Sequence, residues 1–317
     1  MDITGKTALV TGANRGLGRA FADALLEAGA SKVYAGARDP STVSEPRFTA
    51  IRLDVTSGHD VAATAMACGD VEILINNAGV MLSTPVLSEN SENALRREME
   101  VNVFGTMAMA KAFAPVLGRN GGGVIVNMLS VVSWYVYPFN STYCATKHAA
   151  LAVTEGLRIG LKAQGTQVVG VYAGFIDPDM GASLATGPKT SPQQVARRTL
   201  EGIRNGTHNV LADARAESVW KAVRKNPGKL HAEMQAARAE TMRTTSEPAR
   251  LSRPPLSLFF SRMIGDPQCR IGGCRPPCLK ISNIPVLQDP CLLDPDITVL
   301  SRSSGTGIKA RAECQCQ

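Results

Sequence analysis

"KTALVTGANRGLGRA", residues 6–20, runs from a short apolar segment through a glycine-rich turn into an Ala/Leu pattern. Lys6–Thr11 reads as a buried strand, and the stretch from Leu17 to Ala28 has helical periodicity. Between them stand Gly12, Gly16 and Gly18, with Asn14, Arg15 and Leu17 completing the loop. Glycine allows a sharp turn and lets backbone approach a ligand closely. The unpaired N–H groups at a helix start, together with its dipole, favour an anion. Strand, glycine loop and helix at the head of a chain are the layout of a dinucleotide-phosphate cradle.

Outward from this stretch the pattern repeats. "SKVYAGA", "FTAIRLD", "VEILIN", "GVIVNML", "TQVVGVYA" and "HNVLA" read as further buried strands. Helical patterns lie between most of them, notably Leu17–Ala28, Glu92–Leu117, Thr142–Ala163 and Pro192–Arg204. Alternation of this kind predicts an α/β fold: a doubly wound, mostly parallel, seven-stranded Rossmann-type sheet with helices on both faces. Only "RDPSTVSEPR" joins the second and third strands, so a loop or single turn is expected there. "TSPQQVA" offers a Ser/Thr cap with proline at the first helical position. The preceding "DPDMGASLATGPKT" is the candidate lid.

From about Ser246 the periodicity fails. The expected organisation is therefore a dinucleotide-binding and catalytic domain over 1–245 and an irregular tail over 246–317. The tail holds Cys269, Cys274, Cys278, Cys291, Cys314 and Cys316, whose spacings match no paired CxxC zinc arrangement, and no metal site is predicted. A disordered or extraneous extension is the expectation. The formal charge of +7 is scattered, without a basic run interleaved with aromatics, so small anionic ligands are expected and nucleic acid is not. No charged-then-apolar leader or long apolar run stands out, which predicts a cytoplasmic protein with no membrane partner.

"STYCATKHAA", residues 141–150, places Tyr143 four positions ahead of Lys147 at a helix start, so both present their heads on one face. A nearby cation favours the phenolate and is expected to lower the phenol's pKa from its usual value near 10.

These motifs stand in an order that resembles the short-chain dehydrogenase/reductase family. TGxxxGxG is followed by "LDV" with Asp54, "NNAG" at 76–79, "VNVFGT" with Asn102, "NMLS" with Ser130, and then Tyr143 and Lys147. The resemblance spans about residues 4–245. It implies an oxidoreductase that interconverts a carbonyl and an alcohol by hydride transfer. In that role Tyr143 is the general acid or base, and Lys147 also holds the nicotinamide ribose. Ser130 donates to the substrate carbonyl, and Asn102 anchors a proton-supplying water chain. The resemblance likewise implies that Asp54 and Val55 meet the adenine, that Asn77, Ala78 and Gly79 line the cofactor cleft, and that Gly174 and Ile176 border it. Ser130 as a turn cap, Asn102 as a backbone tie and Ser133 as a rival serine are the alternatives.

At the end of the second strand stand Ala37 and Arg38, with Arg15 in the glycine loop. Two guanidiniums suit a 2′-phosphate, so NADP(H) is expected over NAD(H). The rival reading makes Asp39 the ribose acceptor. The sequence departs from the family at "AGFIDP", where Ala173 and Pro178 replace the usual proline and threonine, putting carboxamide positioning in question. Trp134, Tyr135, Tyr137 and Phe139, with Met180 and Leu184, suggest an aromatic and apolar pocket for a small hydrophobic ketone or aldehyde. A dinucleotide-sensing protein without catalysis is the alternative function. The resemblance also implies a homodimer or homotetramer through helices near 92–117 and 142–163.

Overall fold

The computed structural model describes residues 1–176 and 189–251. The strands are β1 (Thr7–Thr11), β2 (Lys32–Ala37), β3 (Thr49–Arg52), β4 (Ile73–Asn76), β5 (Val124–Met128), β6 (Gln167–Tyr172) and β7 (Asn209–Leu211). They form one sheet in the order β3-β2-β1-β4-β5-β6-β7, and every pairing is parallel. The chain builds outward from β1 to β3, then returns to place β4 on the other side of β1. This reversal opens a crevice at the carboxyl ends of β1 and β4, where an α/β sheet binds its ligand.

The helices are α1 (Gly16–Glu27), α2 (Gly58–Ala67), α3 (Ser91–Met99), α4 (Thr106–Arg119), α5 (Ser141–Leu161), α6 (Pro192–Arg204), α7 (Ala214–Lys225) and α8 (Pro227–Leu251). Period-2 alternation divides the strand side chains between two cores. Ile73 and Ile75 join Phe21, Leu25 and Ile203 beneath α1 and α6, while Leu74 joins Met109, Phe113 and Leu117 beneath α4. Each fully buried large aliphatic side chain contributes about 1.5–3 kcal/mol, so both faces hold the sheet.

The seven strands and four named helices fall where the sequence places them, with three differences. β3 is largely exposed because it is an edge strand, and only a 3₁₀ turn at Pro40–Thr42 links β2 to it. The helix expected over 92–117 is interrupted by a π-helical segment, Glu100–Gly105. A Cβ at Gly105 would lie 2.7 Å from Val55 Cγ2, so the helix passes close against the loop after β3. The chain also stays helical beyond Ser246, through α8 to Leu251.

The stretch Ser91–Arg119 is long and apolar enough to cross a bilayer by length and composition, but half of its most apolar window is buried in the protein. The six tail cysteines, and Pro178, Met180, Ser183 and Leu184 of the candidate lid, lie outside the described residues.

Candidate active site

The glycine loop turns with Gly12 at φ +66° and Gly16 at φ +54°, a region that penalises a Cβ. A side chain at Gly18 would run into the Gly12 carbonyl oxygen and come within 2.6 Å of Asn77 Nδ2. The start of α1 therefore presses directly on the turn. No side chain caps α1 and its first turn holds no acidic residue, leaving its N–H donors for an anion. The residues present fit a dinucleotide phosphate.

Side-chain amides behind this loop hold the strand ends together. Thr11 Oγ1 accepts from the Asn77 and Ala78 N–H groups at 3.0 and 2.9 Å, and Asn77 Nδ2 donates to Thr11 O at 3.0 Å. Asn76 Nδ2 donates to Asn127 Oδ1 at 2.9 Å, and Asn127 Nδ2 donates to Thr154 Oγ1 at 3.0 Å. This chain of amides ties β4 to β5 and β5 to α5.

One cavity of about 970 Å³ runs from the glycine loop to the start of α5. Gly12, Asn14, Arg15, Gly16, Leu17 and Gly18 line it from the β1–α1 turn, and Arg38, Asp54 and Val55 from the ends of β2 and β3. Asn77, Ala78 and Gly79 follow β4, Ser130 follows β5, Tyr143 and Lys147 come from α5, and Gly174 and Ile176 follow β6. Residues separated by more than a hundred positions meet because every strand of a parallel sheet ends on the same side.

Asn102 is the exception. Its Oδ1 accepts from Val80 N–H at 2.9 Å, while its Nδ2 donates to Val80 O at 2.9 Å and to Thr146 Oγ1 at 3.1 Å. It is 2% exposed and absent from the cavity wall, so its amide acts as a tie between the β4–α3 loop and α5.

Ser130 caps the 3₁₀ turn Val131–Ser133, accepting from Val132 N–H at 3.3 Å, and its Oγ donates to Ala173 O at a long 3.4 Å. Ser133 is buried behind it, accepting from Ser130 N–H at 3.2 Å, and does not reach the cavity.

Lys147 Nζ lies 5.4 Å from the centre of the Tyr143 ring and donates to Met128 O at 2.8 Å. Burial lowers the Lys147 pKa to about 8. Tyr143 differs from expectation: burial, aided by Cys144 and Glu98, raises its pKa above the usual phenol range, and Lys147 does not offset this. Burial acts on both members of the pair: it raises the phenol and lowers the lysine, so Lys147 loses its charge before the phenol would ionise.

The pocket aromatics also divide. Tyr135 and Tyr137 line the cavity, whereas Trp134 stacks on Tyr172 with centroids 4.1 Å apart and touches Trp220 at 4.8 Å. Phe139 packs edge-on to Tyr137 outside the wall. The cavity also includes Arg97, Met81, Asn140 and Arg215, which sequence reasoning did not select. Arg215 sits in the first turn of α7, whose start was legible from Asp213, an N-cap that accepts from Ala216 N–H at 2.7 Å.

Arg15 and Arg38 are exposed at the cavity wall and form no ion pair among the described residues. The rival Asp39 also lines the cavity, while its Oδ1 caps the 3₁₀ turn, accepting from Ser41 N–H at 3.0 Å and from Ser41 Oγ–H at 2.7 Å.

Comparison with known proteins agrees with this geometry. A family model described as short chain dehydrogenase matches residues 6–189. A short-chain dehydrogenase from Burkholderia cenocepacia J2315, solved in complex with NADP, is 38% identical, covering 74% of this chain and 99% of that one, with a TM-score of 0.71. One from Burkholderia phymatum, solved in complex with NAD, is 27% identical over 74% of this chain and 96% of that one, with a TM-score of 0.62. A sorbitol dehydrogenase from Cereibacter sphaeroides is 35% identical over 187 residues, 56% of this chain and 73% of that protein. A parallel sheet with its glycine loop, amide ties and Tyr–Lys pair at one crevice thus places this chain in the short-chain dehydrogenase family, as an oxidoreductase with a nucleotide-binding site.

Proposed function

We propose that the protein is an NADPH-dependent reductase of small hydrophobic ketones or aldehydes, reversible toward the alcohol. The observation that carries this reading is the presence of Ser130, Tyr143 and Lys147, from two different elements, on the wall of the cavity that holds the glycine loop. A bound dinucleotide would supply the hydride. The chain's residues would manage the charge that develops on the carbonyl oxygen.

Tyr143, with its pKa raised by burial, remains a protonated phenol at neutral pH and is therefore in the form that donates. Ser130 Oγ–H has only a long bond to Ala173 O to exchange for a substrate oxygen. Lys147, held by Met128 O, stands beside the phenol as the route by which its proton is replaced. Tyr135, Tyr137 and Met81 give this end of the cavity the apolar surface that a hydrophobic substrate needs. The NADPH preference rests on two guanidiniums, Arg15 and Arg38, at the cavity wall without an ion pair among the described residues, while Oδ1 of Asp39 is engaged by Ser41.

The test is NADPH consumption by the purified protein against hydrophobic aldehydes, ketones, diketones and quinones, with Tyr143→Phe as control. Turnover lost in the variant supports the reading. Firm NADPH binding without turnover across the panel would instead favour a dinucleotide sensor.

A further inference from the structure

We propose that the substrate carries an anionic group, of which a carboxylate is the simplest, and that Arg215 with Tyr135 binds it. This deepens the proposed reductase reading and rests on it.

Arg215 enters the cavity from α7, a helix distant in sequence from the Tyr–Lys pair. Its stem lies across Gly174, where an added Cβ would come within 2.7 Å of Arg215 Cδ. This contact directs the guanidinium to the rim, 5.5 Å from the centre of the Phe175 ring, with Nη2 donating to Tyr135 Oη at 3.4 Å.

No carboxylate among the described residues pairs with this guanidinium. Asp213 Oδ2 accepts from Gly174 N–H at 2.8 Å and from Thr190 Oγ1–H at 3.2 Å, while its Oδ1 caps α7. Glu217 pairs with Arg198 at 2.9 Å. The nearest acids on the same helix are therefore engaged elsewhere. Tyr135 Oη accepts from Arg215, so its own proton is free to serve as a second donor beside the guanidinium. A planar cation and a phenol O–H together match the two oxygens of a carboxylate.

The alternative source of an anion is the cofactor's diphosphate. Tyr135 belongs to the loop that carries Ser130, which favours the substrate. The aromatic wall would then hold the body of the ketone, and Arg215 would hold its charged end.

The experiment compares aryl ketones bearing a carboxylate with their methyl esters, in the wild-type protein and in Arg215→Gln and Arg215→Lys. The expected result is a preference for the acid of about tenfold or more in kcat/KM, carried mainly by KM, which collapses in Arg215→Gln and partly survives in Arg215→Lys. Equal kcat/KM for acid and ester in the wild-type protein would overturn the proposal and leave the reductase reading intact. A loss of NADPH affinity in Arg215→Gln that matches the loss of activity would assign the guanidinium to the cofactor and also overturn it. Reduction of neither the acid nor its ester by a protein that reduces the neutral panel would overturn this proposal alone, and failure on that panel as well would reject the reductase reading with it.

Discussion

Lys147 donates to the Met128 carbonyl at 2.8 Å and not to Tyr143, although its Nζ lies 5.4 Å from the centre of the phenol ring. The pair is thus set side by side and separately solvated by protein. The lysine is fixed by a strand end and the phenol is left facing the cavity.

This arrangement has a pH signature. A Lys147 pKa lowered from 10.5 to about 8 means that burying the ammonium destabilises the folded state by about 3 kcal/mol below pH 8. Between about pH 8 and 10.5 the unfolded chain binds the extra proton, so this penalty is relieved as pH rises. A Lys147→Met variant of the cofactor-free protein should have its largest advantage in Tm over wild type near pH 7. Thermal melts should show that advantage shrinking toward pH 10; a gap independent of pH would contradict the buried-ammonium account.

Replacing Tyr143 by Phe removes the proton donor and leaves the cradle of Gly12, Gly16 and Gly18 untouched. Turnover should fall by about 10²–10⁴-fold. NADPH affinity, followed by fluorescence titration, should stay within about threefold, since that is less than 1 kcal/mol of binding. A variant that keeps most of its turnover would remove Tyr143 from the chemistry.

Ser130→Ala removes both a cap and a cavity hydroxyl. Stability should drop by about 1 kcal/mol from the lost cap. Separately, kcat/KM should fall by about 10²–10³-fold if the hydroxyl supports the developing oxyanion. Denaturant melts and steady-state rates measured on the same preparation separate the two effects.

Arg38→Ala should weaken NADPH binding by about tenfold or more through loss of a charge-assisted phosphate contact. NADH binding should change little, because that dinucleotide lacks the phosphate. Equal dissociation constants for NADPH and NADH in the unmodified protein would show that Arg15 and Arg38 do not select between them.

Asn102→Leu would leave the Val80 N–H and C=O without their partners in a half-buried loop. A fully buried group of this kind costs about 1–3 kcal/mol, and partial hydration of the half-buried loop brings each toward the lower end. The expected outcome is a destabilised protein, measured by urea unfolding, with a disturbed wall at Val80 and Met81. A variant as stable as wild type would mean that water replaces the amide.

The sequence by itself determined the sheet, the glycine loop and the Tyr–Lys pair, because each rests on local rules. Apolar runs of strand length, glycines at a turn and a four-residue helical spacing are set by backbone geometry within a few residues. The same locality explains the accuracy at Pro192, where a capping serine and a proline start α6. What only the tertiary structure decided are choices between partners distant in the chain. Asn102 faces Val80 and Thr146 instead of the cavity, Trp134 stacks on Tyr172 while Tyr135 reaches the wall, and burial raises the Tyr143 pKa where the spacing to Lys147 alone predicts a lower one. Arg215 reaches the site across Gly174 from a helix far along the chain. Direction of a side chain and desolvation of a charge depend on what other elements pack around it, and no spacing within one segment carries that information.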